Sequence, residues 1–113
     1  LNGLMAPKLF TIKKRSTFVF VRNKGEFIKG KNINIQILHN QNLEKSIGVG
    51  YTASKKIGNA VKRNKAKRIM RELARKIIIN GKTNSYYVLI AKPSLLDEKF
   101  NDLLIELKEK LND

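Results

Sequence analysis

Between Lys45 and Lys92 this chain carries a single acidic residue, Glu72, amid a dense run of Lys and Arg. The same stretch holds apolar residues at helical spacing. Ala66, Ile69, Met70, Leu73, Ala74 and Ile77 fall on one stripe at about 100° per residue. The spacing predicts a long helix over 60–79, with Asn59 as N-cap and Gly81 behind its end. Opposite the stripe, Asn64, Arg68, Arg71 and Arg75 line up, flanked by Lys65, Lys67 and Lys76. With a rise of 1.5 Å per residue, the row spans about 16 Å. Lys62 and Arg63 fall nearer the apolar edge, in the first turn.

A solvated helix face normally mixes both signs for pairing one turn apart. This face does not, so a polyanion is the expected counterpart. Arg presents planar, bidentate donors that match phosphate, and Asn64 can read a base edge or a 2′-hydroxyl, or simply help position the backbone. The whole chain agrees. Residues 94–113 hold three Lys and six acids, so residues 1–93 hold 21 of the 24 basic residues against three acids. Repulsion on that scale weakens folding unless a polyanion neutralises it, and nucleic acid is the implied partner. An anionic membrane surface is the second candidate, but it needs an exposed apolar helix face, and these stripes suit a core.

Other classes are excluded. No apolar run approaches 18 residues, so nothing reads as a membrane span. Pro7 and Lys8 interrupt the opening LNGLMAPKLF, which does not read as a secretory signal; residues 1–10 are expected to be a loose arm. With no Cys there is no disulfide scaffold, thiol nucleophile or cysteine metal site. The lone His39 reads as an ordinary polar residue, and no nucleophile–base pair is visible. The protein alone is not expected to be a catalyst.

The rest of the chain supplies a sheet. Residues 12–23, IKKRSTFVFVRN, read as a short helix ending at Gly25, with a strand as the alternative. Residues 32–38 alternate, with Ile33, Ile35 and Ile37 on one face and Asn34, Gln36 and Leu38 on the other. Residues 46–52 alternate too, and HNQNLE between them is a turn by composition, so the two strands are expected to form an antiparallel pair. Gly48 and Gly50 share the second strand's polar face, which implies a close approach there, by a covering helix or by a ligand. Residues 86–91 form a short buried strand closed by Pro93. The last helix begins near Asp97 and runs through Phe100, Leu103, Leu104, Leu107 and Leu111.

The expected fold is α+β: a small mixed sheet of three to four strands packed with three helices, in the order α-β-β(-β)-α-β-α. The optional strand lies at Glu26–Ile28. A single nucleic-acid-binding domain over 1–113 is expected. Asn34, Gln36 and Thr52, edged by Lys55 and Arg63, would line a shallow polar groove. Phe18 and Arg22 leaning over it would add the aromatic and cationic surface that single-stranded nucleic acid needs. Phe18 and Phe20 are each readable as core instead.

The stretch KKIGNAVKRNKAKRIMRE resembles the signature of the protein subunit of bacterial ribonuclease P. The lead-in is Ser54-Lys55-Lys56-Ile57-Gly58-Asn59-Ala60-Val61, and the helix motif is Arg63-Asn64-Lys65-Ala66-Lys67-Arg68, followed by Ile69, Met70 and Arg71. Phe18, Val21 and Gly25 resemble the family's first helix, and IAKP near residue 90 its last-strand exit, so the likeness covers roughly residues 10–110. The resemblance implies a left-handed crossover through the basic helix. It implies a cytoplasmic endoribonuclease holoenzyme whose catalyst is a large RNA and which removes the 5′ leader of precursor tRNA. Mg2+ would sit mainly on RNA phosphates. By motif position it implies RNA contacts at Lys55, Lys56, Asn59, Arg63, Asn64, Lys65, Lys67, Arg68 and Arg71, and leader-cleft positions at Phe18, Arg22, Gln36 and Thr52. Lys65 stands where the family often has Arg, and Arg22 and Gln36 where an aromatic is common, which shifts leader binding from stacking toward electrostatics.

A different basic RNA binder, such as a ribosomal protein, explains the charge but not the long motif. Gly81-Lys82-Thr83 echoes the end of a P-loop, but the required earlier Gly is Lys76, and the segment follows a helix. Asp102 and Glu106, one helical turn apart among Lys99, Lys108 and Lys110, read as solvated ion pairs rather than a metal site.

Overall fold

The structure, a computed structural model, describes residues 8–112. At its centre is a five-stranded sheet. In spatial order the strands are β1 (Leu9–Thr11), β4 (Ile47–Thr52), β5 (Ser85–Ala91), β3 (Ile33–Leu38) and β2 (Glu26–Ile28). Three helices pack on it: α1 (Arg15–Lys24), α2 (Ala60–Lys76) and α3 (Phe100–Leu111). The α+β class holds, with five strands rather than three or four. The added strand is β1, whose three residues are too few to show a period. It takes up Leu9 and Phe10 from the supposed loose arm; residues 1–7 of that arm lie outside the described residues.

The expected hairpin of the two alternating strands is not formed. β5 lies between them, antiparallel to β3 and parallel to β4. Side-chain parity is nevertheless as read, because alternation is a property of each strand and not of its neighbour. The parallel β4–β5 pair is joined through α2, so the basic helix is a crossover, as parallel neighbours require.

The local signals mostly hold. Asn59 caps α2, its side chain accepting from the Lys62 N–H at 3.0 Å. The α-helix ends at Lys76 instead of 79, and a 3-10 turn over Ile78–Asn80 completes the segment. Gly25 ends α1 for reasons of space: a Cβ there would lie 2.5 Å from the Ile37 carbonyl oxygen and 2.7 Å from that of Val21. Residues Pro93–Asp97 form a 3-10 turn, so α3 starts at Phe100 rather than near Asp97.

One sheet face packs Ile33, Ile35, Ile37, Ile47, Val49 and Leu89 against α2 (Ala66, Met70, Leu73, Ala74) and α3 (Leu103, Leu107). Met70 and Leu73 are fully buried; cutting either to Ala costs about 2–5 kcal/mol. That burial fixes which way the cations of α2 point. The other face is smaller: Val88 meets Val21 of α1 and Ile12, bordered by Phe18, Leu38, Tyr86 and Ile90.

The acids of the C-terminal segment have a structural use. Glu106 is not in a solvated ion pair. Its carboxylate accepts from the Asn32 N–H (2.8 Å), the Ile33 N–H (3.2 Å) and the Asn32 Nδ2 (2.7 Å). Glu98 accepts from the same Nδ2 at 3.1 Å and pairs with Lys31 at 3.4 Å. The Asn32 amide and then Lys31 hold the Glu98 carboxyl below the usual carboxylate range. Asn32 is buried, so α3 is latched to the β2–β3 turn by charge-assisted bonds.

Candidate RNA interface

The lead-in SKKIG is a preformed turn. Ser54 Oγ accepts from the Lys56 N–H, and Lys55–Ile57 make one 3-10 turn. Gly58 follows with φ 135°, a conformation side chains disfavour. Ile57 is buried and anchors the turn, while Lys55 and Lys56 stay exposed. Asn59 then opens α2. Cations that begin beyond the end of β4, at Lys55 and Lys56, thus resume at Lys62 in the first turn of a rigid helix.

Along α2, Asn64, Lys65, Arg68 and Arg71 are exposed, and Arg63 and Lys67 are half-buried. Two ion pairs occur among the described residues, Lys31–Glu98 and Arg75–Glu72. No RNA-contact position named from the sequence pairs with an acid among the described residues. Arg75, the last of the row, is the exception, being held by Glu72. Arg71 has its guanidinium carbon 5.5 Å from the centroid of the Tyr51 ring, a cation–π contact. Burial pushes the Tyr51 phenol up, with Arg71 and then Arg75 pulling the other way.

Of the positions named from the sequence for a leader cleft, Gln36 and Thr52 lie on the opposite face of the sheet and Phe18 rests on it. The register sets Gly48–Tyr86–Leu38 in one row, Gly50–Val88–Gln36–Phe27 in the next and Thr52–Ile90–Asn34 in a third. The closeness that Gly48 and Gly50 implied is real and aromatic. A Cβ on Gly50 would lie 2.5 Å from the Phe18 ring; one on Gly48 would lie 2.7 Å from Phe10 and 2.8 Å from Tyr86. The covering helix accounts for Gly50. Phe18 is half-buried, part of the small core and part surface, whereas Phe20 is exposed. Arg22 is exposed one turn along α1 from Phe18. Gln36 and Thr52 are half-buried.

The sequence reading passed over Phe27, 58% exposed next to Gln36 in register, and the edge-to-face pair Phe10–Tyr86. Phe27 was within reach of parity, since Glu26 and Ile28 flank it. Phe10 was not, because its strand is visible only once β4 is there to pair with. His39 Nδ1 lies 2.7 Å from Ser85 Oγ, an ordinary polar contact.

Comparison with known proteins places this geometry in a family. The family model described as Ribonuclease P matches residues 6–113. The "Ribonuclease P protein component" of Ruegeria pomeroyi is 48% identical over 67 residues, covering 58% of this chain and 54% of that protein. The protein of the same name from Caulobacter vibrioides is 32% identical over 105 residues, covering 92% of this chain and 70% of that one. The matched stretch thus spans about half of the first relative and more of the second. The Staphylococcus aureus RNase P protein superposes with a TM-score of 0.78 at 26% identity, over 90% of this chain and 92% of that one. The Thermotoga maritima RNase P protein, at 20% identity and a TM-score of 0.76, shares the fold.

Proposed function

The chain belongs to the ribonuclease P protein family, and we propose that it is the protein component of a tRNA-processing ribonucleoprotein, binding the catalytic RNA and the single-stranded 5′ leader of precursor tRNA. The observation that carries this reading is the cationic face of α2, along which only Arg75 is paired with an acid among the described residues, set beside a second, aromatic-edged face of the same sheet. The two surfaces suit two different nucleic-acid shapes. A stiff row of Arg, Asn and Lys suits the fixed phosphates of a folded RNA. A groove with Phe18, Arg22, Gln36 and Thr52 suits an extended strand, which offers one base face and one phosphate at a time.

In this reading the protein supplies binding and position, and the RNA supplies the chemistry: endonucleolytic hydrolysis that leaves the mature tRNA 5′ end. The holoenzyme works in the cytoplasm. The RNA-contact residues are Lys55, Lys56, Asn59, Arg63, Asn64, Lys65, Lys67, Arg68 and Arg71. Their charge offsets repulsion between the catalytic RNA and its RNA substrate, which is also what Mg2+ does, so less metal is needed when the protein is present. Mg2+ would be held mainly by RNA phosphates. Among the described residues, the carboxylates that converge, Glu98 and Glu106, are already engaged by the Asn32 amide. With Arg22 and Gln36 in the cleft, the leader is held more by charge and hydrogen bonding than by stacking.

Reconstitution tests the reading. Adding the protein to the ribonuclease P RNA of the same genome should raise precursor-tRNA cleavage at low Mg2+, and affinity should grow as unpaired 5′ nucleotides are added. Absence of stimulation refutes it, and RNA binding indifferent to leader length points instead to a general basic RNA binder.

A further inference from the structure

At the β1 edge of the sheet, beside the basic helix, there is a concavity of about 140 Å³. Leu9, Phe10, Thr11, Tyr51, Arg71 and Arg75 line it. We propose that it is a phosphate subsite for the RNA bound by α2, in which Arg71 and Arg75 supply charge and the Tyr51 and Thr11 hydroxyls supply neutral hydrogen bonds. The proposal rests on the RNA-binding reading above and extends the contact from the helix onto the strands beneath it.

Four observations converge there. Arg71 has its guanidinium carbon 5.5 Å from the Tyr51 ring centroid and makes neither of the two ion pairs among the described residues, so its N–H groups can meet a phosphate. The Tyr51 phenol is a neutral hydroxyl at about pH 7, able to donate, and burial pushes its pKa further up against the pull of Arg71 and then Arg75. Thr11 is exposed at the rim of the same concavity. Arg75 is occupied in the free protein by Glu72, one turn earlier on the helix. Both partners of that pair are largely solvent-exposed, 60% and 48%, and such pairs are weak and exchangeable. A phosphate carries charge into a site that already has two guanidinium groups, and displaces Glu72 from Arg75. The space suits a phosphate with the edge of its sugar. The exposed row of Asn64 and Arg68 on the same helix continues the path for neighbouring phosphates of one strand.

Salt dependence separates the two kinds of donor. The slope of log affinity against log salt counts released counterions, to which only cations contribute. Binding of the protein to the ribonuclease P RNA of the same genome would be titrated across salt. Tyr51→Phe keeps the ring under Arg71 and removes one neutral donor; affinity should fall about fivefold to tenfold with the slope unchanged. Thr11→Val, at an exposed position, should act in the same direction. Glu72→Gln frees Arg75 and should tighten binding and steepen the slope by up to about one ion's worth. Inorganic phosphate at matched ionic strength should compete more against the wild type than against Tyr51→Phe. Thermal unfolding of each variant checks that the fold is retained. Wild-type binding with Tyr51→Phe and Thr11→Val both within about twofold of it, or with Glu72→Gln unchanged, overturns the subsite alone. Failure of the wild type to bind this RNA overturns the proposed function and the subsite with it.

Discussion

Gly50 and Phe18 form a pair whose coupling can be calculated before it is measured. Gly50 has an ordinary strand conformation, since Gly58 is the positive-φ glycine of the described residues. Its missing side chain is therefore a matter of space. A Cβ would lie 2.5 Å from one Phe18 ring atom and 2.8 Å from the next. Gly50→Ala should force the ring off its seat, with an overpacking cost of about 1–3 kcal/mol. Phe18→Ala removes a half-buried ring from the small core of Val21, Val88 and Ile12. The cost should be below the roughly 3–5 kcal/mol of a fully buried Phe, so about 2 kcal/mol. In the double variant the new methyl enters space the ring has left. There Gly50→Ala should be neutral, or stabilising by up to about 1 kcal/mol through the less flexible unfolded chain. The cycle should show a coupling of about 1–4 kcal/mol, read by urea unfolding of the four proteins. Additivity within about 0.5 kcal/mol would show that Phe18 does not rest on Gly50. A second readout ties the pair to function. Both single variants should lose about 1–3 kcal/mol of affinity for a precursor tRNA with an unpaired leader, and neither should lose affinity for a tRNA lacking one. Equal losses on the two substrates would place Phe18 outside the leader path.

Three further outcomes are expected. Arg68→Ala should weaken binding of the catalytic RNA and lower the salt slope by about 0.7–0.9; an unchanged slope means that this exposed side chain meets only water. Asn59→Ala should cost about 0.5–2 kcal/mol in chemical unfolding through loss of the α2 cap, which accepts from the Lys62 N–H in the structure. The Glu98 carboxyl has a lowered folded-state pKa, so its contribution is present above the ordinary carboxylate value and lost as pH falls through the lowered one. Glu98→Gln should therefore flatten the acid side of the melting-temperature profile and leave the alkaline side alone; an identical acid limb contradicts the latch.

What could be read from residues alone was whatever depends on near neighbours along the chain. The Asn59 cap, the stripe through Ala66, Met70 and Leu73, and the alternation of 33–38 and 47–52 all appear where the sequence placed them, since each is written in spacings of two to four residues. The sign and position of the charge were legible for the same reason: one acid in nearly fifty residues needs no fold to be noticed. Pairing in space was not legible. Ser85–Ala91 enters between two strands that looked like a hairpin, because a continuous apolar run is satisfied by burial on both faces and carries no mark of which neighbours provide it. Leu9–Thr11 is a strand only by virtue of β4. Glu106 reads as a surface acid until Asn32, 74 residues away, meets it, and Tyr51 gains Arg71 above it only when the crossover folds α2 back over β4. Short-range periodicity settled the elements and their charged faces; contacts between distant segments, whose loop-closure cost and reward no local pattern encodes, decided how those faces became a site.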